Sequence, residues 1–218
     1  MISLIKMIAA FDIGKKNFAF VIEEINIPKL QELPTIIKKR RFDYSGKTTK
    51  EYDCLLSKVY QLGKIVLYRN LDLTIGTNKK LYLDPRIFIA MYTELEKYVE
   101  YWDKCDVILI ERQMSFRGKR NPMALKLGQH CYSYFIFKYK NTKKIIEFPA
   151  YHKTQVLGAP RKLTKPQRKK WAIEKAYSIL AEREDYDNLI LLHSVKKRDD
   201  IADCILMNIA YTVMNYIF

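Results

Sequence analysis

The chain has 218 residues, 49% of them hydrophobic and only 7 Gly and 7 Pro, which suits one folded domain and excludes disordered or collagen-like classes. Lys and Arg number 39 against 24 Asp and Glu, a net charge of +15 that favours a polyanionic partner, although a chain rich in Lys, Tyr and Ile carries some of its lysines incidentally. No apolar run reaches the roughly 18 residues of a membrane span, and Cys54, Cys105, Cys131 and Cys204 stand apart without a CxxC pair, as reduced thiols of an intracellular protein do.

Residues 1–10 carry one lysine, Lys6, and lead into the first strand, so they are expected to be structure rather than a signal peptide. The run Met7–Phe11 has the length and bulk of a strand buried on both faces, and Asp12 interrupts it. Gly14 permits a tight bend through Lys15, Lys16 and Asn17 into a second, antiparallel strand over residues 18–25. Such an aspartate either closes an edge strand as a turn residue or needs a positive partner, and a divalent cation is the strongest available. Residues 35–44, with the basic run 38–41, are expected to form a third strand. Residues 45–83 read as an insertion of short elements within a single domain spanning 1–218.

Residues 85–102 have the spacing of an amphipathic helix, with Asp84 at its N-cap and Pro85 at its first position. A buried strand over 106–111 follows, and it too ends in a carboxylate, Glu111. A basic loop, residues 112–120, contains Arg112, Phe116, Arg117, Lys119 and Arg120. Asn121 and Pro122 open a helix over 123–140 that is apolar almost all round, as a face shared with a partner subunit would be. Residues 144–148 read as a strand, 149–166 as a long loop, 167–183 as a basic amphipathic helix and 200–217 as a closing hydrophobic helix. This order of elements describes an α/β domain, a mixed sheet flanked by helices.

Three separate elements thus end or begin in acids: Asp12, Glu111, and the pair Asp200 and Asp203, which share a helical face at i, i+3. Asp199 fits an N-cap role, and the pair alone could be a solvated helix start. Four carboxylates brought together would repel one another unless counter-ions balanced them. Two Mg²⁺ or Mn²⁺ ions roughly 4 Å apart would do so and would suit in-line displacement at a phosphodiester. All-oxygen donors favour these ions over zinc. Basic clusters flank each acidic position: Lys15 and Lys16; Arg112, Arg117, Lys119 and Arg120; Arg161, Lys162, Lys165, Arg168, Lys169 and Lys170; and Lys196 to Arg198. They are expected to bind a nucleic-acid backbone. Phe116, inside a basic loop, is a candidate for base stacking. His130, His152 and His193 lie far apart in sequence, and packing roles are the simpler expectation for them, with His193 the best placed of the three for catalysis.

The motifs F-D-I-G-K-K-N, I-L-I-E-R-Q and D-D-I-A-D, with A-L-K-L-G-Q over 124–129 and K-T-Q-V-L-G over 153–158, resemble those of the poxvirus-type Holliday junction resolvases. These are relatives of bacterial RuvC in the RNase H-like superfamily. The resemblance covers most of 7–44 and 85–217. It implies a mixed five-stranded sheet with helices on both faces and a metal-dependent endonuclease whose activated water leaves a 3′-hydroxyl. It implies Asp12, Glu111, Asp200 and Asp203 as metal ligands, Lys170 (or Lys169, by register) as the catalytic lysine, and Lys153 as a DNA contact near the site. It further implies branched DNA as substrate, a homodimer, no membrane, and work inside the host cell of a large DNA virus. Segment 45–83 departs from the family. Other readings are a RuvC-like nuclease for other branched or flapped DNA, a non-catalytic nucleic-acid-binding protein, and an actin- or sugar-kinase-type ATPase, whose first phosphate loop D-I-G-x-x-N also resembles.

Overall fold

The computed structural model describes residues 5–78, 81, 84–113 and 121–218. Its centre is a five-stranded sheet in the order β3-β2-β1-β4-β5, built from β1 (Ile5–Asp12), β2 (Phe18–Asn26), β3 (Gly63–Leu71), β4 (Val107–Glu111) and β5 (Lys144–Phe148). β1, β2 and β3 form an antiparallel meander, while β4 and β5 run parallel to β1. The tight turn after β1 explains the first pairing. A Cβ on Gly14 would lie 2.8 Å from the Asn17 carbonyl oxygen, so the chain reverses there only without a side chain. Parallel pairing of β1, β4 and β5 needs crossovers, which the intervening helices supply.

β1 is covered on both faces, and its alternate residues join different cores. Met7, Ala9 and Phe11 point to α3 (Pro85–Lys97), α4 (Val99–Lys104) and α5 (Pro122–Tyr139), where Phe11, Phe20, Trp102 and Phe135 interlock. Ile8 and Ala10 point to the opposite layer. That layer holds α1 (Ile27–Gln31), α2 (Lys50–Gln61), α6 (Tyr151–Val156), α7 (Lys165–Glu182), α8 (Tyr186–Ser194) and α9 (Arg198–Tyr216). α9 is buried from Ile201 to Val213 apart from Asp203, and it is pinned to β2 by Cys204 Sγ to the Ala19 carbonyl at 3.7 Å and Asn208 Nδ2 to the Val21 carbonyl at 3.3 Å.

Several expectations need correction. The third strand is not residues 35–44, where the chain makes a 3-10 turn (Lys38–Arg40) with exposed basic side chains. The strand lies at Gly63–Leu71, inside the segment read as an insertion, so 45–83 contributes α2 and an edge of the sheet. Polar residues on β3 (Lys64, Arg69, Asn70) blur its alternation because an edge strand faces solvent. The helix expected over 85–102 ends at Lys97, and α4 begins at Val99. The loop 149–166 contains α6, and α8 falls where no helix was expected. The outer face of α5 is mixed rather than uniformly apolar, with Lys126, Gln129 and Lys138 exposed beside Phe137, which is 80% exposed.

Candidate active site

One row of residues crosses the sheet at a single level. Asn70 on β3 is opposite Ala19 on β2, which is opposite Asp12 on β1. On the far side β1 pairs with β4 through Phe11 and Ile110, so Asp12 and Glu111 are the next residues on neighbouring parallel strands, at an interstrand spacing of about 4.8 Å. Both continue the face of Ile8 and Ala10, and of Val107 and Leu109, toward α9. Ala19, the smallest side chain in the row, lets α9 approach closely enough for Cys204 to reach its carbonyl, which brings the first turn of α9 over the row.

Lys153 on α6 ties the acids together. Its Nζ donates to Glu111 Oε1 at 2.9 Å and pairs with Asp203 Oδ2 at 2.8 Å, which puts those two oxygens no more than about 6 Å apart. Only 6% of Lys153 is exposed. Burial alone would push its ammonium pKa down, but Glu111 and Asp203 together hold it above its usual value. Lys169 on α7 makes the second pair, donating to Asp199 Oδ2, and Asp200 and Asp203 add to the field that keeps it protonated against burial.

Even so, the acids outnumber the bases. Asp12, Glu111, Asp199, Asp200 and Asp203 face two lysines. Burial raises the Asp12 carboxyl well above its usual range, and Glu111, Asp203 and Asp200 raise it further against the pull of Lys153. Burial likewise raises Asp203, and it pushes Asp200 up to about 6, with Asp199 adding to the rise. The thiol of Cys204 is forced up by burial and then by Asp12, so it stays protonated. Asp200 Oδ2 is buried with no hydrogen-bond partner among the described residues. An all-oxygen set with surplus negative charge and an orphaned buried carboxylate oxygen fits a hard divalent cation. Among the described residues no three such groups already stand in a coordinating set, since Lys153 lies between Glu111 and Asp203.

The expected basic residues among those described are mostly exposed. Lys15 and Lys16 are exposed in the turn after Asp12, and Arg112 is exposed just past Glu111. Arg161, Lys162, Lys165 and Arg168 are exposed between α6 and the start of α7, beside a cleft of about 250 Å³. Lys196 and Lys197 are exposed at the start of α9. Phe116, Arg117, Lys119 and Arg120 lie outside the described residues. Three placements differ from the simplest expectation. Lys170 has a side chain 79% exposed and, among the described residues, pairs only with Glu174 at 3.7 Å, whereas Lys169, one position earlier on the helix, reaches the acids. Lys153 is enclosed by carboxylates rather than presented to solvent. Asp199 does not cap α9; Lys197 is the N-cap residue, and the Asp199 carboxylate turns to Lys169 instead. His130 packs edge-on against Phe88, and His193 is exposed near the Tyr177 ring, so neither lies among the acids.

Asn70 was missed from sequence. It donates to the Lys197 carbonyl at 3.2 Å, and its amide stands near enough to Asp200 to lower that carboxyl slightly against the larger rise from burial. The signal in the sequence is an amide interrupting the run V-L-Y-R-N-L, and it carries meaning only once that run is a strand of the sheet.

Protein 97L of Invertebrate iridescent virus 3 is 33% identical to this chain over 95% of it and 100% of its own length. Protein 170L of Invertebrate iridescent virus 6 is 32% identical over 94% and 87%. No family model matches. Among solved structures, the fowlpox virus resolvase in complex with substrate Holliday junction DNA superposes with a TM-score of 0.53 at 19% identity, covering 95% of this chain and 97% of that one. Thermus thermophilus RuvC superposes with a TM-score of 0.54 at 9% identity, covering 96% and 97%. The fold is that of the RuvC-like resolvases.

Proposed function

We propose that this chain, which belongs to the family of the iridescent-virus proteins 97L and 170L, is a Holliday junction resolvase: a divalent-metal-dependent endonuclease that makes paired, symmetric nicks in four-way DNA during viral recombination and replication. The observation that carries it is the meeting of Asp12, Glu111, Asp200 and Asp203, from β1, β4 and α9, at one end of the sheet beside an exposed basic surface.

Asp12, Glu111, Asp200 and Asp203 would hold one or two Mg²⁺ or Mn²⁺ ions. Bound there, the ions supply charge neutralisation at the scissile phosphate and lower the pKa of an attacking water. Lys153 limits the repulsion between Glu111 and Asp203 and keeps both aimed into the cleft. Lys169, partly exposed and hydrogen-bonded to Asp199, is the cation placed to reach a phosphate oxygen as negative charge grows. Asn70 orients Asp200. The exposed Lys15, Lys16, Arg112, Arg161, Lys162, Lys165, Arg168, Lys196 and Lys197 bind phosphates without reading bases.

Nicking opposed strands of a junction takes two sites related by a twofold axis, hence a homodimer. The exposed Ile89 and Tyr92 on α3 and Phe137 on α5 support pairing through that face. The working place is inside the host cell, where viral DNA is replicated; all four cysteines are free, as a reducing compartment keeps them.

The test is cleavage of a synthetic four-way junction with Mg²⁺ by the wild type, Asp12→Asn and Asp203→Asn. Paired nicks from the wild type alone are expected. Equal cutting by all three would remove the acids from the chemistry, and cutting confined to flapped or nicked duplex would replace the resolvase reading with that of a broader branched-DNA nuclease.

A further inference from the structure

The loop between α1 and α2 has no role in the site, yet it is closely knit by hydrogen bonds. Asp43 Oδ1 accepts from Ser45 N at 2.8 Å, Ser45 Oγ at 2.6 Å and Lys47 N at 3.0 Å. Asp43 N donates to the Lys47 carbonyl at 2.8 Å, and Thr49 closes the base through its N–H to the Arg41 carbonyl at 3.0 Å and its Oγ1 to the Arg40 carbonyl at 2.7 Å. Arg41 anchors the loop, its Nε donating to the Ile36 carbonyl and its guanidinium lying over the Phe218 ring.

Two glycines seat this turn on the basic segment that follows α6. Gly46 has φ +85°, and a Cβ there would lie 2.5 Å from Arg161 Nε; Gly158 has φ +75°, and a Cβ there would lie 2.3 Å from the Thr48 side chain. The two loops therefore touch face to face. The turn holds Tyr44, wholly exposed, at its tip. Around it stand Lys38, Lys39, Arg40 and Lys47, all exposed, and none of them forms a salt bridge among the described residues. The acid of the turn itself, Asp43, accepts its hydrogen bonds from within the turn. The result is a preorganised cationic shelf, continuous through Arg161 with the basic segment that follows α6.

We infer that this shelf is a second DNA-binding surface that holds the sugar-phosphate backbone of a duplex arm leading away from the cleavage point, with Lys38, Lys39, Arg40 and Lys47 on phosphates and Tyr44 against the sugars. The inference rests on the nuclease reading above and extends it to how the substrate arm is held. A preformed turn gives up little conformational freedom on binding, so its cations add affinity that mobile lysines would partly forfeit to ordering.

The test is equilibrium binding of a four-way junction with long arms, in Ca²⁺, across a salt series. It compares wild type with K38A/K39A/R40A and with Tyr44→Ala, with circular-dichroism melts as the check on folding. For the triple variant the inference expects at least tenfold weaker binding and a log K against log [salt] slope shallower by about 2, with no change in melting temperature; Tyr44→Ala weakens binding severalfold without changing the slope. Wild-type affinity and slope in the triple variant overturn the shelf and leave the nuclease reading standing. A wild type that neither binds nor cuts branched DNA overturns both.

Discussion

At the scale of single residues, burial of the acids works against folding once they ionise. Asp12, Asp200 and Asp203 have carboxyl pKa values raised in the folded state, chiefly by burial. A group with a raised folded value holds its proton more tightly folded than unfolded, so it favours folding at low pH and loses that contribution as pH climbs through the folded value. For Asp200 the window runs from about 4 to about 6. Metal-free protein is therefore expected to melt at progressively lower temperature as pH rises through this range, and added Mg²⁺ should raise the melting temperature more at pH 8 than at pH 5. A metal-induced shift equal at both values would contradict the assignment. Asp12→Asn relieves the same repulsion, so in metal-free solution at pH 7.5 it should melt above the wild type, by about 2–4 °C for each kcal/mol gained, while cleavage is lost. Lys153 acts in the opposite sense. Lys153→Met leaves Glu111 and Asp203 facing each other without their shared cation, at a cost of about 3 kcal/mol, and divalent ions should recover more stability in this variant than in the wild type; chemical denaturation with and without Mg²⁺ reads both.

These roles were unevenly legible. Asp12 and Glu111 stood out because a charge ending a buried apolar run is costly without a partner, and Asp200 and Asp203 because a helix start with two acids precedes an apolar body. Lysine roles were not, since one residue along a helix turns a side chain by about 100°, which is why Lys169 reaches the acids and Lys170 reaches solvent. Asn70 could not be placed before β3 was found, because its meaning lies in its level across the sheet.

Among the elements, the sheet is held together by features with different sequence visibility. The buried strands β1, β2 and β4 and the helices α3, α5 and α7 follow from length and periodicity, whereas the solvent-facing edge strand β3 has no clean alternation to read. The register of that edge is supported by a buried ion pair, Glu23 on β2 with Arg183 at the end of α7; Arg183 Nε also donates to the Tyr60 carbonyl at 2.6 Å, joining α7 to α2. Both side chains are almost fully enclosed. Arg183→Ala should strand the Glu23 carboxylate and cost about 3–5 kcal/mol, with faster hydrogen exchange in β3 than in β4. Uniform exchange and a loss under 1 kcal/mol would show that the pair does not secure the edge.

For the whole molecule, the +15 charge is the dominant long-range feature. Junction affinity is expected to fall steeply and log-linearly with salt, as backbone binding does. Sedimentation should show a dimer at micromolar concentration, and Phe137→Glu with Ile89→Glu should yield monomers that nick one strand without its opposite. Dimers persisting in the double variant would move the interface elsewhere.

Manganese(II) uptake by junction-bound protein, followed by electron paramagnetic resonance at pH 7.5, reports most directly on whether acids from β1, β4 and α9 share divalent ions. We expect the wild type to take up ions beyond those held by the DNA, and Asp12→Asn and Asp203→Asn to lose at least tenfold in affinity for them. Identical uptake by the wild type and both variants would contradict the shared site.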